Sequence, residues 1–176
     1  MESKTNVMRI LDKLKVPYAH YCYEGSGAVS GTEVAAVLGQ NPAQVFKTLV
    51  TVAKSKQHYV FMLPAGKELD LKKAAASVHE KSVEMIKSKE LLPTTGYIHG
   101  GCSPIGIKKR FPRLLTSALR LLKQLFSVPE KSAIRSKFRW PGLPKPLNLH
   151  WRILPSQLIF NPVQDNINNI ALLFGR

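Results

Sequence analysis

Residues 41–63, NPAQVFKTLVTVAKSKQHYVFML, decide the fold class. Asn41-Pro42-Ala43-Gln44 carries a helix start: a capping side chain, a proline at the first helical position and a glutamine three residues after the cap. Lys47 to Ala53 and His58 to Leu63 are rich in β-branched and aromatic residues. The polar Lys54-Ser55-Lys56-Gln57 between them predicts a hairpin. On the N-terminal side, Val7, Ile10, Leu11 and Leu14 share one stripe and predict a short amphipathic helix. Tyr18 to Tyr23 reads as a strand bounded by Pro17 and Gly25-Ser26-Gly27. Thr32 is placed to cap a helix through Leu38, with Gly39 ending it. On the C-terminal side, Asp70 caps a helix over Leu71 to Val78, and Ser82 to Ile86 reads as a strand. Ser88 and Lys89 open another short helix, which runs towards Thr95-Gly96-Tyr97-Ile98 and a Gly-Gly-Cys-Ser-Pro-Ile-Gly loop. Strands and helices alternate irregularly, which predicts a mixed α/β domain rather than a doubly wound sheet.

Composition narrows the function classes. At 176 residues the chain has room for one good-sized core but not two ordinary domains. A hydrophobic content of 44% marks it as globular. Its apolar runs are shorter than the roughly 20 residues that span a bilayer, and the opening Met-Glu-Ser-Lys-Thr-Asn lacks the pattern of a secretory signal. With only Cys22 and Cys102, a disulfide framework or structural zinc site is not expected. The expectation is a cytoplasmic protein with no membrane partner, no metal and no cofactor. The net charge of +15 points to a polyanionic partner, nucleic acid first.

That charge is uneven. Residues 1–112 hold 16 Lys+Arg against 9 Asp+Glu, a balance of +7, whereas residues 113–176 hold 10 against 2, a balance of +8. Leu114 to Phe126 can be written as a cationic amphipathic helix, after which prolines at 129, 141, 144, 146, 155 and 162 interrupt every periodic run. Trp140 and Trp151 stand among arginines and prolines without strand or helix spacing.

Three stretches carry a resemblance to the YbaK/EbsC family of Cys-tRNA(Pro) deacylases, relatives of the editing domain of bacterial prolyl-tRNA synthetases. They are NPAQVFKTL (41–49), LDLKKAAASVHEKSVEM (69–85) and TGYIHGGCSPIGIKKR (95–110), in family order. The third is the most specific, because TGY, GGxSPxG and a basic triplet recur together. The resemblance implies a YbaK-like editing fold: a mixed, partly barrel-like sheet with surrounding helices. It also implies removal of cysteine from mischarged tRNA(Pro), with prolyl-tRNA synthetase as a possible partner. Alternatives are a deacylase for another residue such as alanine, and a non-catalytic module that holds a tRNA 3′ end.

On this reading Lys47, at a helix-to-strand junction, places one ammonium near the tRNA 3′ end; the bland reading is a solvated strand-end lysine. Gly100 and Gly101 let an ester carbonyl approach backbone N–H donors, or are an ordinary tight turn. Lys47, Gly100 and Gly101 are thus the catalytic candidates, and Tyr23, Thr48, Ser103 and Gly106 the substrate-binding ones. Tyr23 stands where the family has a pocket tyrosine, and is equally well a half-buried strand aromatic. Ser103, Pro104 and Gly106 shape the loop. His99 and Cys102 suggest a nucleophile pair, but residues three apart in a loop need not face each other, and the family has an aliphatic at the Cys102 position. His20, His58 and His79 read as strand or surface residues. The mechanism implied needs no enzyme nucleophile: the substrate's own thiol attacks its ester, and the protein supplies positioning and oxyanion stabilisation. The chain departs from the family at residues 28–33, where Glu33 is the sole acid of a usually acidic run.

It departs further after Pro112. The family continues with Ser-x-Gly-Lys-Arg-Gly and then Gln-Ile-Glu, which the displayed residues lack. Read one base out of register, the codons from Phe126 to Lys131 permit Phe-Ser-Ala-Gly-Lys, and those from Ile134 to Phe138 permit Gln-Ile-Glu-Val. Trp140-Pro141 forces alanine and Pro155-Ser156 permits a stop, while Ala133-Ile134 excludes the usual leucine. The expectation is an incomplete editing domain over 1–112 and an aberrant basic tail over 113–176, out of frame from near codon 112. The alternative is a diverged natural tail.

Overall fold

The computed structural model describes residues 4–28, 30–116, 124–127, 134–139 and 151–154. At its centre the strands β2 (Val45–Ala53) and β3 (His58–Pro64) pair antiparallel, without a bulge, from Phe46↔Pro64 to Val52↔His58. The turn is closed by the Ala53 N–H donating to the Gln57 carbonyl at 2.8 Å, with Lys56 in the left-handed region at φ 69°. Both runs are nearly continuous in apolar residues because both faces of the hairpin are covered. On one face Phe61, Leu63, Ala53 and Tyr59 pack with Val83, Leu114 and the helical Ala74 and Ala75. On the other, Val50 and Val60 pack with Ile86, Leu91, Cys102, Ile107 and Phe111. Each large side chain removed from water here contributes about 1.5–3 kcal/mol, which is why the hairpin anchors the fold.

Around it the sheet is mixed. β5 (Arg113–Thr116) runs parallel to β3, and β8 (Trp151–Leu154) parallel to β5. The second edge of β2 is shared: β6 (Gln124–Ser127) pairs in parallel with Val45 and Phe46, and β4 (Val83–Met85) pairs antiparallel with Thr51 to Ala53. β7 (Ile134–Arg139) then joins β6 to β1 (Tyr18–Cys22), giving the order β1-β7-β6-β2-β3-β5-β8 with β4 to the side. Leu114 to Phe126, written above as one helix, instead has strands at its two ends; residues 117–123 lie outside the described residues. Leu114 is buried against the β3 core, and that long-range burial outweighs the local helical pattern. Trp140 and the prolines from 129 onward also lie outside the described residues.

The helices follow their caps. In α1 (Asn6–Lys13) the Thr5 hydroxyl accepts from the Met8 N–H, and Val7, Met8 and Leu11 are buried. α2 (Gly31–Val37) is capped by Ser30, not Thr32. The Ser30 hydroxyl accepts from the Glu33 N–H while the Glu33 carboxylate reaches back to the Ser30 N–H. The cap expected at Thr32 lies two residues too late, since Thr32 has a cap-forming side chain but no glutamate three on. Asn41-Pro42 starts only one 3-10 turn (Pro42–Gln44), because the strand takes over at Val45. α3 (Leu71–Ser77) begins where the Asp70 carboxylate accepts from the Lys72 and Lys73 N–H groups, both at 3.0 Å. α4 (Ser88–Thr95) has Pro93 inside it and stops at Gly96, whose φ of 84° is left-handed.

Candidate active site

Gly96 turns the chain into a loop that crosses the second face of the hairpin, where Cys102, Ile107 and Phe111 enter the core. Ile98 to Gly101 form a tight turn, with the Gly101 N–H donating to the Ile98 carbonyl at 3.0 Å. Gly100 sits in the left-handed region at φ 79°, which a side chain would strain. A Cβ on Gly101 would come within 3.3 Å of Ile98 Cγ1. Of the two glycine donors expected to meet an oxyanion, that of Gly101 is therefore spent on the turn in this conformation.

Beyond the turn, Ser103 is only 1% exposed, and its hydroxyl oxygen accepts from the Ile105 N–H at 3.2 Å. Gly106 has a φ of 80° and no room for a Cβ: Asn6 Nδ2 and Ile10 Cδ1 would lie at 2.7 Å and the Tyr97 oxygen at 2.9 Å. Gly106 is thus where α1 seats on the loop. Ser103 and Gly106 hold the loop's shape.

Cys102 is buried, and burial pushes its thiol up to about 12, so at neutral pH it carries no thiolate. His99 flanks the turn, and among the described residues no hydrogen bond joins it to the buried Cys102, so the geometry gives no support to the two as base and nucleophile.

Lys47 lies in β2 opposite Leu63, just past the two residues that pair with β6 and before those that pair with β4. Successive strand residues project to opposite faces, so Lys47 goes with Val45 and Leu49, and Thr48 goes with Val50 on the side of the glycine loop. Thr48 thus shares the sheet face that the glycine loop crosses, and Lys47 the opposite one. Val45, on the Lys47 face, packs against Tyr21 and Ala35 of α2. Tyr23, two residues past Tyr21 and buried, follows β1 on the same parity.

Two residues of the loop's support escaped the sequence reading. The Tyr97 hydroxyl donates to the Ile105 carbonyl and receives Asn6 Nδ2 at 3.3 Å. Burial pushes its pKa up, with hydrogen bonds from Asn6 and Ser103 opposing. Arg113 is 5% exposed, and its Nε and Nη1 donate to the Pro104 and Phe111 carbonyls at 3.1 and 3.3 Å. Its burial pulls the guanidinium pKa down. Tyr97 stood in the TGY motif, after a helix-ending glycine, with no role of its own; Arg113 stood at the edge of a segment with no readable pattern. Among the described residues, no three His, Cys, Asp or Glu side chains are placed to hold a metal ion, and no helix is long and apolar enough to cross a membrane.

Comparison with known proteins agrees on the type of domain. The chain is 48% identical over 115 residues to the Enterococcus faecalis protein named "Putative Cys-tRNA(Pro)/Cys-tRNA(Cys) deacylase EbsC", covering 65% of this chain and 70% of that protein. Its fold is similar to a "putative trans-editing enzyme for prolyl tRNA synthetase" (TM-score 0.70, 20% identity, 90% of this chain and 99% of that one). A hypothetical protein of known structure also shares it (TM-score 0.71, 17% identity, 84% and 97%). Residues 26–130, spanning Lys47, the hairpin and the whole glycine loop, match the family described as the aminoacyl-tRNA editing domain. The chain belongs to the aminoacyl-tRNA editing domain family.

Proposed function

We infer that this protein is a trans-acting aminoacyl-tRNA deacylase that removes cysteine from mischarged tRNA(Pro). The observation that carries the reading is the 48% identity to a protein named as a Cys-tRNA(Pro)/Cys-tRNA(Cys) deacylase. A synthetase discriminates small side chains by only about 1–3 kcal/mol, which creates the need for a second site that removes the wrong product. The buried thiol of Cys102 fits a mechanism in which the enzyme supplies no nucleophile. The substrate's cysteinyl sulfur attacks its own ester carbonyl and loses its proton as the S–C bond forms. The C–O bond to the ribose breaks, and the ribose oxygen takes up a proton. The protein's part is to hold the ester in reach and to place backbone N–H groups, Gly100 first, at the developing oxyanion. Lys47 anchors the tRNA 3′ end, while Tyr23, Thr48 and Ser103 shape the pocket. Prolyl-tRNA synthetase is the natural source of the substrate, and the cytoplasm the natural place.

Incubation with Cys-tRNA(Pro) and Ala-tRNA(Pro) tests this. Thiol-assisted chemistry predicts loss of the first and survival of the second. Cleavage of both would favour a deacylase of wider range, and protection of either without turnover would make the chain a binding module. Lys47→Ala is expected to lower kcat/KM at least about tenfold, the size of a lost charge-assisted contact; full activity would remove Lys47 from the site.

We also propose that the coding frame changes near codon 112. Support comes from the family motifs that the shifted frame permits, in order, over codons 126–131 and 134–138. The nucleotide sequence across codons 105–160 decides between this and a diverged tail: an extra or missing base near codon 112 is the expected result.

A further inference from the structure

Three fixings converge on the loop from Gly100 to Gly106. Cys102 is sunk in the core, Arg113 holds the Pro104 carbonyl, and the Tyr97 hydroxyl holds the Ile105 carbonyl. The last one reaches furthest across the chain. Tyr97 also takes the Asn6 side-chain amide, 91 residues away in α1, and the tips of Asn6, Ile10 and Tyr97 close around Gly106 where a Cβ would stand. α1 lies outside the span that matches the editing family, so the contact ties an element beyond that span to the loop within it. The C-terminal part of the loop is further fixed by the buried Ser103 and Ile105 side chains and by the Lys108 N–H on the Thr95 carbonyl, whereas the Ile98–Gly101 turn is closed by one backbone hydrogen bond and Ile98 is half exposed.

We propose that Tyr97 is a positioning residue: clamped between Asn6 of α1 and the Ile105 carbonyl, its hydroxyl sets the conformation in which the Gly100–Gly106 loop presents its backbone donors to the aminoacyl ester. The proposal rests on the deacylase reading for its chemistry, and on geometry alone for its mechanics. A hydroxyl bonded on both sides fixes two segments relative to each other; replacing it by hydrogen leaves the ring and its packing in place but frees the carbonyl. Donors held off their mark lose transition-state stabilisation more than ground-state affinity.

The test compares the full chain with Tyr97→Phe and Asn6→Ala. Steady-state kinetics on Cys-tRNA(Pro) are read beside amide hydrogen exchange in residues 98–107 and the thermal midpoint. Tyr97→Phe is expected to lower kcat about tenfold or more with KM within about twofold. Exchange in the loop should rise by about tenfold while the β2–β3 hairpin keeps its protection. Asn6→Ala should shift both readouts in the same direction by less, and it serves as the readout if Tyr97→Phe fails to fold. Unchanged loop exchange in the folded variants overturns the proposal, and so does faster exchange with an unchanged kcat. If the wild-type chain leaves the ester intact, the deacylase reading fails, and exchange alone then decides whether Tyr97 fixes the loop.

Discussion

Cys102 shows how burial decides a residue's chemistry. By sequence it stood beside His99 in a glycine-rich loop, a setting in which a nucleophile is worth considering. Its side chain instead packs with Val50, Val60 and Ile107, and a thiol raised to about 12 by desolvation does not ionise at neutral pH. Iodoacetamide on the native protein is therefore expected to alkylate exposed Cys22 and spare Cys102, as read by peptide mass; rapid labelling of Cys102 would contradict the burial. The linkage has a definite sign. The folded state holds the proton more tightly than the unfolded chain, so the stabilisation is complete below about pH 9 and is lost as pH rises towards 12. The difference in denaturation midpoint between wild type and Cys102→Ala should thus shrink across that window. Gly100 and Gly106 were legible as glycines but not in role: their left-handed φ values and the side-chain tips around Gly106 are set by partners far away in sequence.

Among the elements, the hairpin was readable because its signal is local: two apolar runs around a polar turn, with strand limits falling within two residues of expectation. The Asp70 cap was readable for the same reason, since carboxylate and N–H groups lie within three residues. The cap of α2 was misplaced because Ser30 and Thr32 are chemically alike, and only Glu33, at the right distance from Ser30, distinguishes them. Ser30→Ala should consequently cost about 1 kcal/mol of stability, and Thr32→Ala much less, in urea denaturation. Gly106→Ala should cost about 1–2 kcal/mol from backbone strain alone, and should also push α1 off the loop; an unchanged melting curve would mean that α1 is not seated there.

At the scale of the molecule, the residues after Pro112 show no helix or strand period, because prolines and arginines interrupt it, and they lack the motifs the family carries there. Backbone pairing is blind to that texture. β5 and β8 extend the β3 side of the sheet, and β6 and β7 carry it to β1. A chain ending at residue 112 should therefore lack the partner of β1 and unfold without a cooperative transition, measured by circular dichroism on heating. A sharp transition in that fragment would show that residues 4–112 suffice.

The pairing of β1 with β7 also sets a schedule. Tyr18 lies opposite Phe138, so the first strand to be synthesised waits for a segment 120 residues later. At about 5–20 residues per second on a ribosome, that wait is on the order of 6–24 seconds. The hairpin, by contrast, has both its strands within a stretch of about 20 residues and can close within microseconds of emerging. The nascent chain thus carries a paired hairpin and an unpaired leading edge together until β7 is made.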